Sequence, residues 1–527
     1  MAARFWVTGG TGDWNSTTNW SATTGGASGA SVPGSADTAA FDASSGSGTA
    51  TLDISPTIQT LTMTGFTGTL AFGTNTISLN STGTIFTGAT TMTVTGTPLI
   101  ICTNSSATSR TITPTAVTEA NSISFQITAG TGTLSLTTTG AVRNLDFTDG
   151  TNPTGYGGAF TGSTTNTVYG DFKASTNMTG ASGSGVVTFA ATSGTKTINT
   201  AGVTFDRPFT FNGVGGTFQL QAALTSGSTR TCTLTNGTLD LAGYTLTTGL
   251  FSSTNSNVRT LAFGTGKIVL IATSGTIFTY GTATNLTVTG TSLVQATSGG
   301  AGTRTLTFAI SGGTEANTIN FEITSGSDTV SLGGTGGVAK NVNFTGFTGT
   351  IDILNAKTIY GNFDFGSATS ITGTSIVTFA ATSGTKTIRT NALTYGGSFT
   401  FNGIGGIWEM QDALTLTTTL TMTNGTLKLK AGTTSTVGAF ATSGTNAKYL
   451  LSTTFGSQAT ISDASGTNTV QYLTVQDSIA TGGAIFDALA ITNVDAGNNT
   501  GWLFSTTPSI GNEITMRLRS FTQPRRF

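Results

Sequence analysis

The segment Val187-Thr-Phe-Ala-Ala-Thr-Ser-Gly-Thr-Lys-Thr-Ile198 occurs twice without change, the second time from Val377 to Ile388. No other feature constrains the fold as much, because whatever structure one copy adopts the other must adopt too. Around it, Phe209-Thr-Phe-Asn-Gly-Val-Gly-Gly is matched by Phe399-Thr-Phe-Asn-Gly-Ile-Gly-Gly, and Thr235-Asn-Gly-Thr-Leu by Thr423-Asn-Gly-Thr-Leu. Upstream, Gly83-Thr-Ile-Phe-Thr pairs with Gly275-Thr-Ile-Phe-Thr, and Thr118-Glu-Ala-Asn with Thr314-Glu-Ala-Asn. The offset drifts between 188 and 196 residues, as small insertions at turns would make it do. A duplication of ~190 residues exceeds any single solenoid repeat, so each copy must contain several structural units.

Within a copy the period is two. Leu61-Thr-Met-Thr, Thr93-Val-Thr, Thr133-Leu-Ser-Leu and Leu427-Lys-Leu alternate apolar with polar residues, the pattern of a strand with one face in a core. Threonine and glycine, 122 and 73 of 527 residues, dominate every window and are poor helix formers. Strand-like pieces recur about every eight residues between Ile54 and Ser109. The expected fold is all-β: a β-solenoid, or β-helix-like stack, with coils of about 24 residues sharing one core. Tandem β-sandwich domains are the alternative. Asn212-Gly213, Asn236-Gly237, Asn402-Gly403 and Asn424-Gly425 would suit their hairpins, though Asn-Gly equally serves solenoid corners that need positive φ.

Five segments are expected: a Trp-rich N-terminal block (1–45), repeat copies over 46–250 and 251–440, a C-terminal β block (441–504) and an Arg-bearing tail strand (505–527). The first block holds Trp6, Trp14 and Trp20, which suit either a cap on the open first coil or an aromatic docking surface. The tail carries Arg517, Arg519, Arg525 and Arg526 against the single Glu513, a second candidate for docking to a partner's sheet.

The charges exclude several functions. Lys and Arg number 21, Asp and Glu 22, so no basic stripe for nucleic acid is available. With no histidine, no His-based catalysis or metal ligation is possible. Cys102 and Cys232 lie far apart and read as two small buried hydrophobes, not as a disulfide or zinc pattern. No apolar run approaches a membrane span, and the N-terminus lacks the apolar core of a secretory signal, so synthesis in a cytoplasm without membrane insertion is expected.

Candidate chemistry is sparse. A carboxylate pair for glycoside cleavage is offered by Asp146 and Asp149, with Asp171, Asp206 and Asp240 further on. The second copy replaces these with Asn343, Gly346, Asn362, Gly396 and Lys428. Glu409 and Asp412 have the same spacing in copy 2, where copy 1 has Gln219 and Ala222. Glu119/Glu315 and Arg110/Arg304 persist in both copies and are expected as a structural pair within each. Asp495, Asn498 and Asn499 supply oxygens of a kind Ca²⁺ accepts, or simply an Asx-rich turn. Thr-x-Thr pairs such as Thr93/Thr95 and Thr111/Thr113 also suit an ice-binding ladder, but abundant threonine produces them anyway. The glycine strings lack the Lys-Ser/Thr of a phosphate loop, and no cofactor or metal is expected.

The opening Phe5-Trp-Val-x-Gly-Gly-Thr-Gly-x-Trp14, with Asn19-Trp-Ser and Val32-Pro-Gly-Ser-Ala-Asp-Thr-Ala-x-Phe-Asp42, resembles the N-terminal block of Thr/Gly-rich virion proteins of tailed bacteriophages. The closing Asp477-Ser-x-Ala-Thr-Gly-Gly and Val494-Asp-x-Gly-Asn-Asn-Thr-Gly-Trp502 is similar to their C-terminal block. The opening also resembles the β-repeat of autotransporter passengers. The resemblance implies a non-enzymatic fibre or decoration protein on a virion surface, assembled as a homotrimer. Its implied partners are other virion proteins and host surface glycans. A secreted bacterial adhesin is the main alternative, and a polysaccharide-depolymerising tailspike or an ice-binding protein the lesser ones.

Overall fold

A computed structural model describes residues 2–505, apart from 117, 151–152, 301 and 309–312. The expected tail strand and its Arg517, Arg519, Arg525 and Arg526 lie outside the described residues. The fold is a β-solenoid of about 20 turns, built from stacked parallel strands with almost no helix. It forms two compact units, one comprising residues 1–272 with 285–292, the other 273–284 with 293 onward.

The first unit opens with Ala3–Trp6 antiparallel to Trp20–Ser21, after which the ladders described run parallel. Successive coils place Thr38 beside Thr60, Arg110 beside Leu134, and Leu134 beside Phe160, steps of 22, 24 and 26 residues. The step length matches the pattern of three short strands per coil. Period-two alternation fixes the register, since slipping one residue would turn every apolar side chain out to water. Leu61, Ile112, Leu134, Phe160 and Phe205 point inward and are buried, while the threonines between them face out. Each fully buried Leu or Phe contributes roughly 1.5–3 kcal/mol. On the outer face the hydroxyls bond across coils, as between Thr38 and Thr60 (2.9 Å) and between Ser135 and Thr161 (2.9 Å).

The second unit repeats the arrangement. Phe321, Val342, Phe363 and Ile388 stack inward in register, and Trp502–Phe504 lies on Ile485–Ala488 at its last described strand pair.

Parallel pairing excludes the sandwich alternative. The Asn-Gly pairs sit at corners within long bent strands, Phe209–Leu220 and Thr231–Asp240 in one unit, Phe399–Met410 and Thr419–Leu429 in the other. Their asparagines form amide ladders: Asn236 donates to Asn212 (2.6 Å), Asn424 to Asn402 (2.6 Å) and Asn446 to Asn424 (2.6 Å). Glycine is required beside them because a Cβ on Gly213 would strike the carbonyl of Ala191, and one on Gly403 that of Ala381.

Corners also trap cations. Arg110, Arg207, Arg304, Lys357 and Lys448 are buried with their donors aimed at coil carbonyls. Cys102 and Cys232 are free and buried as expected, and burial pushes the Cys102 thiol up to about 12.

Candidate functional site

Polar residues on the outer face of copy 1 form a column one strand wide. Gln126 aligns with Asp146, Asp146 with Lys173, and Lys173 with Asn199; Gln221 follows Leu220, the partner of Ile198. The first four occupy outward positions between buried neighbours, as in Phe125-Gln126-Ile127 and Phe172-Lys173-Ala174, and Gln221 is exposed after buried Leu220. The column floors a groove of about 530 Å³ lined also by Leu99, Ser124, Asn144, Asp171 and Thr197. A second depression of about 410 Å³ shares Leu99, Ser124 and Asn144 with it and adds Arg143.

Hydrogen bonds fix the carboxylates. Asp146 Oδ1 accepts from the Thr148 backbone N–H (2.8 Å) and hydroxyl (2.7 Å). Asp171 Oδ1 accepts from the Thr197 N–H (2.7 Å) and hydroxyl (3.0 Å), and Asn144 Oδ1 accepts from the Asp171 N–H (2.8 Å). Asn199 Oδ1 accepts from the Ala201 N–H (2.9 Å). Lys173 and the Gln126 amide have no side-chain partner among the described residues. The site therefore offers fixed acceptors beside free donors, which suits binding of a polar ligand.

The fold brings Asp146 together with Asp171, one coil away, whereas Asp149 is exposed in the following turn and does not line the groove. Asp206 is held below the usual carboxylate range by its hydrogen bonds from Arg230 (2.8 Å), and Asp240 accepts from Gln219 (2.8 Å). Glu409 pairs with Lys428 (2.8 Å), and Asp412 accepts from Thr390 (2.9 Å). These acids serve as cross-links between coils.

Glu119 and Glu315 do not pair with Arg110 and Arg304. Each glutamate instead accepts from the N–H and hydroxyl of a distant threonine, Thr192 (2.7 Å to the hydroxyl) in copy 1 and Thr382 (2.8 Å) in copy 2. Arg304 pairs with buried Asp328 (2.7 Å), while Arg110 has carbonyl acceptors and the Tyr156 ring at 5.2 Å. The Asp495 cluster is an Asx turn: Asp495 Oδ1 accepts from the Gly497 N–H (3.0 Å) and from Asn499 (2.6 Å), and Asn498 donates to Asp477 (2.5 Å). Among the described residues no group of His, Cys, Asp and Glu is arranged to hold a metal. Thr93 and Thr95 stack on Thr69 and Ala71, so the hydroxyl ladder is interrupted there; Thr111 stacks on Ser135.

Trp6, Trp14 and Trp20 are fully buried, so their rings present no surface to a partner. They pack edge to face, Trp14 on Trp20 at 4.9 Å and Trp6 on Trp20 at 5.3 Å, with Phe41 beside them. The Trp20 indole donates to the Trp14 carbonyl (2.8 Å). This aromatic plug closes the first coil, the role a solenoid end requires.

Acids adjacent in sequence do not mark the groove, because its members come from separate coils. Aligning the two copies supplies the missing signal, since the matching positions Glu322, Asn343, Asp364, Arg389 and Gln411 are polar as well. The chain matches no protein-family model, no curated protein and no solved structure.

Proposed function

We propose that the chain is a non-enzymatic fibre or decoration protein of a tailed bacteriophage virion, displayed on the particle as a homotrimer and touching the host surface. The observation that carries this reading is the resemblance of the two end blocks to those of phage virion proteins. It is supported by the way each block folds. The N-terminal block is a Trp plug over the first coil, and in the C-terminal block Trp502 packs on Phe486 at 5.1 Å with its indole donating to Ser478 (3.1 Å). A low-charge, hydroxyl-covered exterior also suits a saline medium, where screening over about 3 Å near 1 M salt weakens ionic contacts.

The decisive experiment is a density map of the virion in which these coils are fitted on the capsid or tail, with sedimentation of the purified chain at trimer mass. Absence from purified virions, or recovery only from a bacterial outer surface, overturns the reading and favours an adhesin. Incubation with host polysaccharides is expected to release no oligosaccharide. Release that Asp146→Asn or Asp171→Asn abolishes would establish a depolymerase instead. Both variants are expected to fold, because copy 2 carries Asn343 and Asn362 at these positions with the same bonds to Thr345 (2.9 Å) and Thr387 (2.8 Å).

A further inference from the structure

We propose that the groove along Gln126, Asp146, Lys173, Asn199 and Gln221 is a binding site for a neutral oligosaccharide lying along the stack of coils. The proposal deepens the surface-display reading, on which it rests only for the source of the glycan.

Four observations lead to it. Adjacent parallel strands lie about 4.8 Å apart, so the column repeats at roughly the length of one sugar ring. Along it the chemistry alternates: amide, carboxylate, ammonium, amide, amide. Hydroxyls both donate and accept, so a polyhydroxylated chain can bond to every one of these groups in turn. The balance of charge disfavours acidic ligands, since Asp146 and Asp171 face a single Lys173 within the groove. Of the residues lining the groove, Leu99 and buried Phe125 alone are apolar, and no aromatic ring is exposed there for a lipid or an aromatic ligand to pack on.

Copy 2 supplies the control. There the same register reads Glu322, Asn343, Asp364, Arg389. Arg389 Nε donates to Asp364 (2.7 Å), and Gln295 Nε2 donates to Glu322 (2.8 Å). The carboxylates of this column in copy 2 are thus tied to neighbours within it, whereas Lys173 and the Gln126 amide of copy 1 are left open.

This difference provides the test. Lys173→Asp combined with Asn199→Arg installs the Asp364–Arg389 pair in copy 1, on a scaffold that already tolerates it once. The wild-type chain and this double variant are applied to an array of immobilised bacterial surface oligosaccharides, neutral and acidic, with circular dichroism confirming that both are folded. The wild type is expected to bind at least one neutral glycan, and the double variant to lose about tenfold or more in affinity for it. Gln126→Ala, which removes an outward amide with no partner among the described residues, is expected to weaken binding of the same glycan without changing the thermal midpoint. Three results overturn the proposal: no glycan bound by the folded wild type, binding of acidic glycans alone, or binding unchanged in the double variant. Absence of the chain from virions while groove-dependent binding persists would defeat the virion reading and leave the groove standing.

Discussion

In copy 1, Gln126, Asp146, Lys173 and Asn199 run down one outer face; in copy 2, Glu322, Asn343, Asp364 and Arg389 hold the same register. Inward positions barely differ: Phe189, Phe211 and Phe218 correspond to Phe379, Phe401 and Trp408, with ring centroids 5.3 Å apart for Phe189–Phe211 and 5.2 Å for Phe189–Phe218 in copy 1, and 5.0 Å for Phe379–Phe401 in copy 2. The core is constrained by packing on both sides, so volume must be conserved there. An outward side chain touches only its neighbours up and down the column, and so drifts freely unless a ligand or an ion pair holds it. The duplication therefore separates what the solenoid needs from what it merely carries.

The largest expected break in the symmetry is at the buried arginines. Arg304→Met strands the buried Asp328 carboxylate and should cost about 3–5 kcal/mol. Arg110→Met leaves only the carbonyls of Asn104 and Ala129 unpaired and should cost about 1–3 kcal/mol. Denaturant titration of the two variants measures the gap, and equal losses would refute this difference in corner chemistry. Next come the corner glycines. Gly213→Ala and Gly403→Ala both drive a methyl into a carbonyl of the preceding coil, at an expected cost of about 1–3 kcal/mol each. Here the copies should behave alike, and a harmless Gly213→Ala would mean that its corner is built differently from that of Gly403.

A smaller contrast is legible in pH. Lys357 occupies a buried corner where copy 1 has Asn166; both donate to coil carbonyls at 2.8 Å, to Gly334 and Thr138 respectively. Burial lowers the Lys357 ammonium to about 8, below its value in the unfolded chain. From there upward the unfolded chain holds this proton more than the folded one, so the Lys357 contribution to stability rises by about 1 kcal/mol between pH 8 and 9. The buried thiols of Cys102 and Cys232, raised by burial, oppose it over the same range. Above pH 10 the buried phenol of Tyr156, pushed up to about 12, opposes the trend. Lys357→Asn should therefore change the stability difference between pH 8 and 9 by about 1 kcal/mol in the direction of lower stability at pH 9, and an unchanged difference in denaturant titrations would contradict the assignment. The smallest effect is expected at Glu119→Gln and Glu315→Gln. Each weakens one pair of bonds to an exposed threonine, so both should cost about 1 kcal/mol or less and by matching amounts.

Alternation such as Leu61-Thr-Met-Thr made the strands legible in the sequence, and the duplication made the repeated architecture legible. The hand of the pairing was not, because Asn212-Gly213 satisfies a hairpin turn and a solenoid corner equally. What decides between them is the amide ladder to Asn236, a contact one coil away. The groove was hidden for the same reason. Asp146 and Asp149 are close in sequence, yet the strand ends at the first and the chain turns before the second, so only Asp146 joins Asp171 and Lys173. Trp6, Trp14 and Trp20 announced their importance but not their direction: a plug and a docking surface require the same residues, and only burial tells them apart.

Parallel, in-register stacking in both copies is the premise of every comparison above, and disulfide trapping tests it directly. Thr188 faces Thr210 in copy 1 and Thr378 faces Thr400 in copy 2, each pair outward on adjacent coils. Their Cα atoms, one strand spacing apart, lie within disulfide reach. Cys102 and Cys232 are buried and should not compete. With cysteines introduced at either pair, the folded protein is expected to form the cross-link in both copies under mild oxidation. Failure of either pair to close in the folded protein would contradict the shared register.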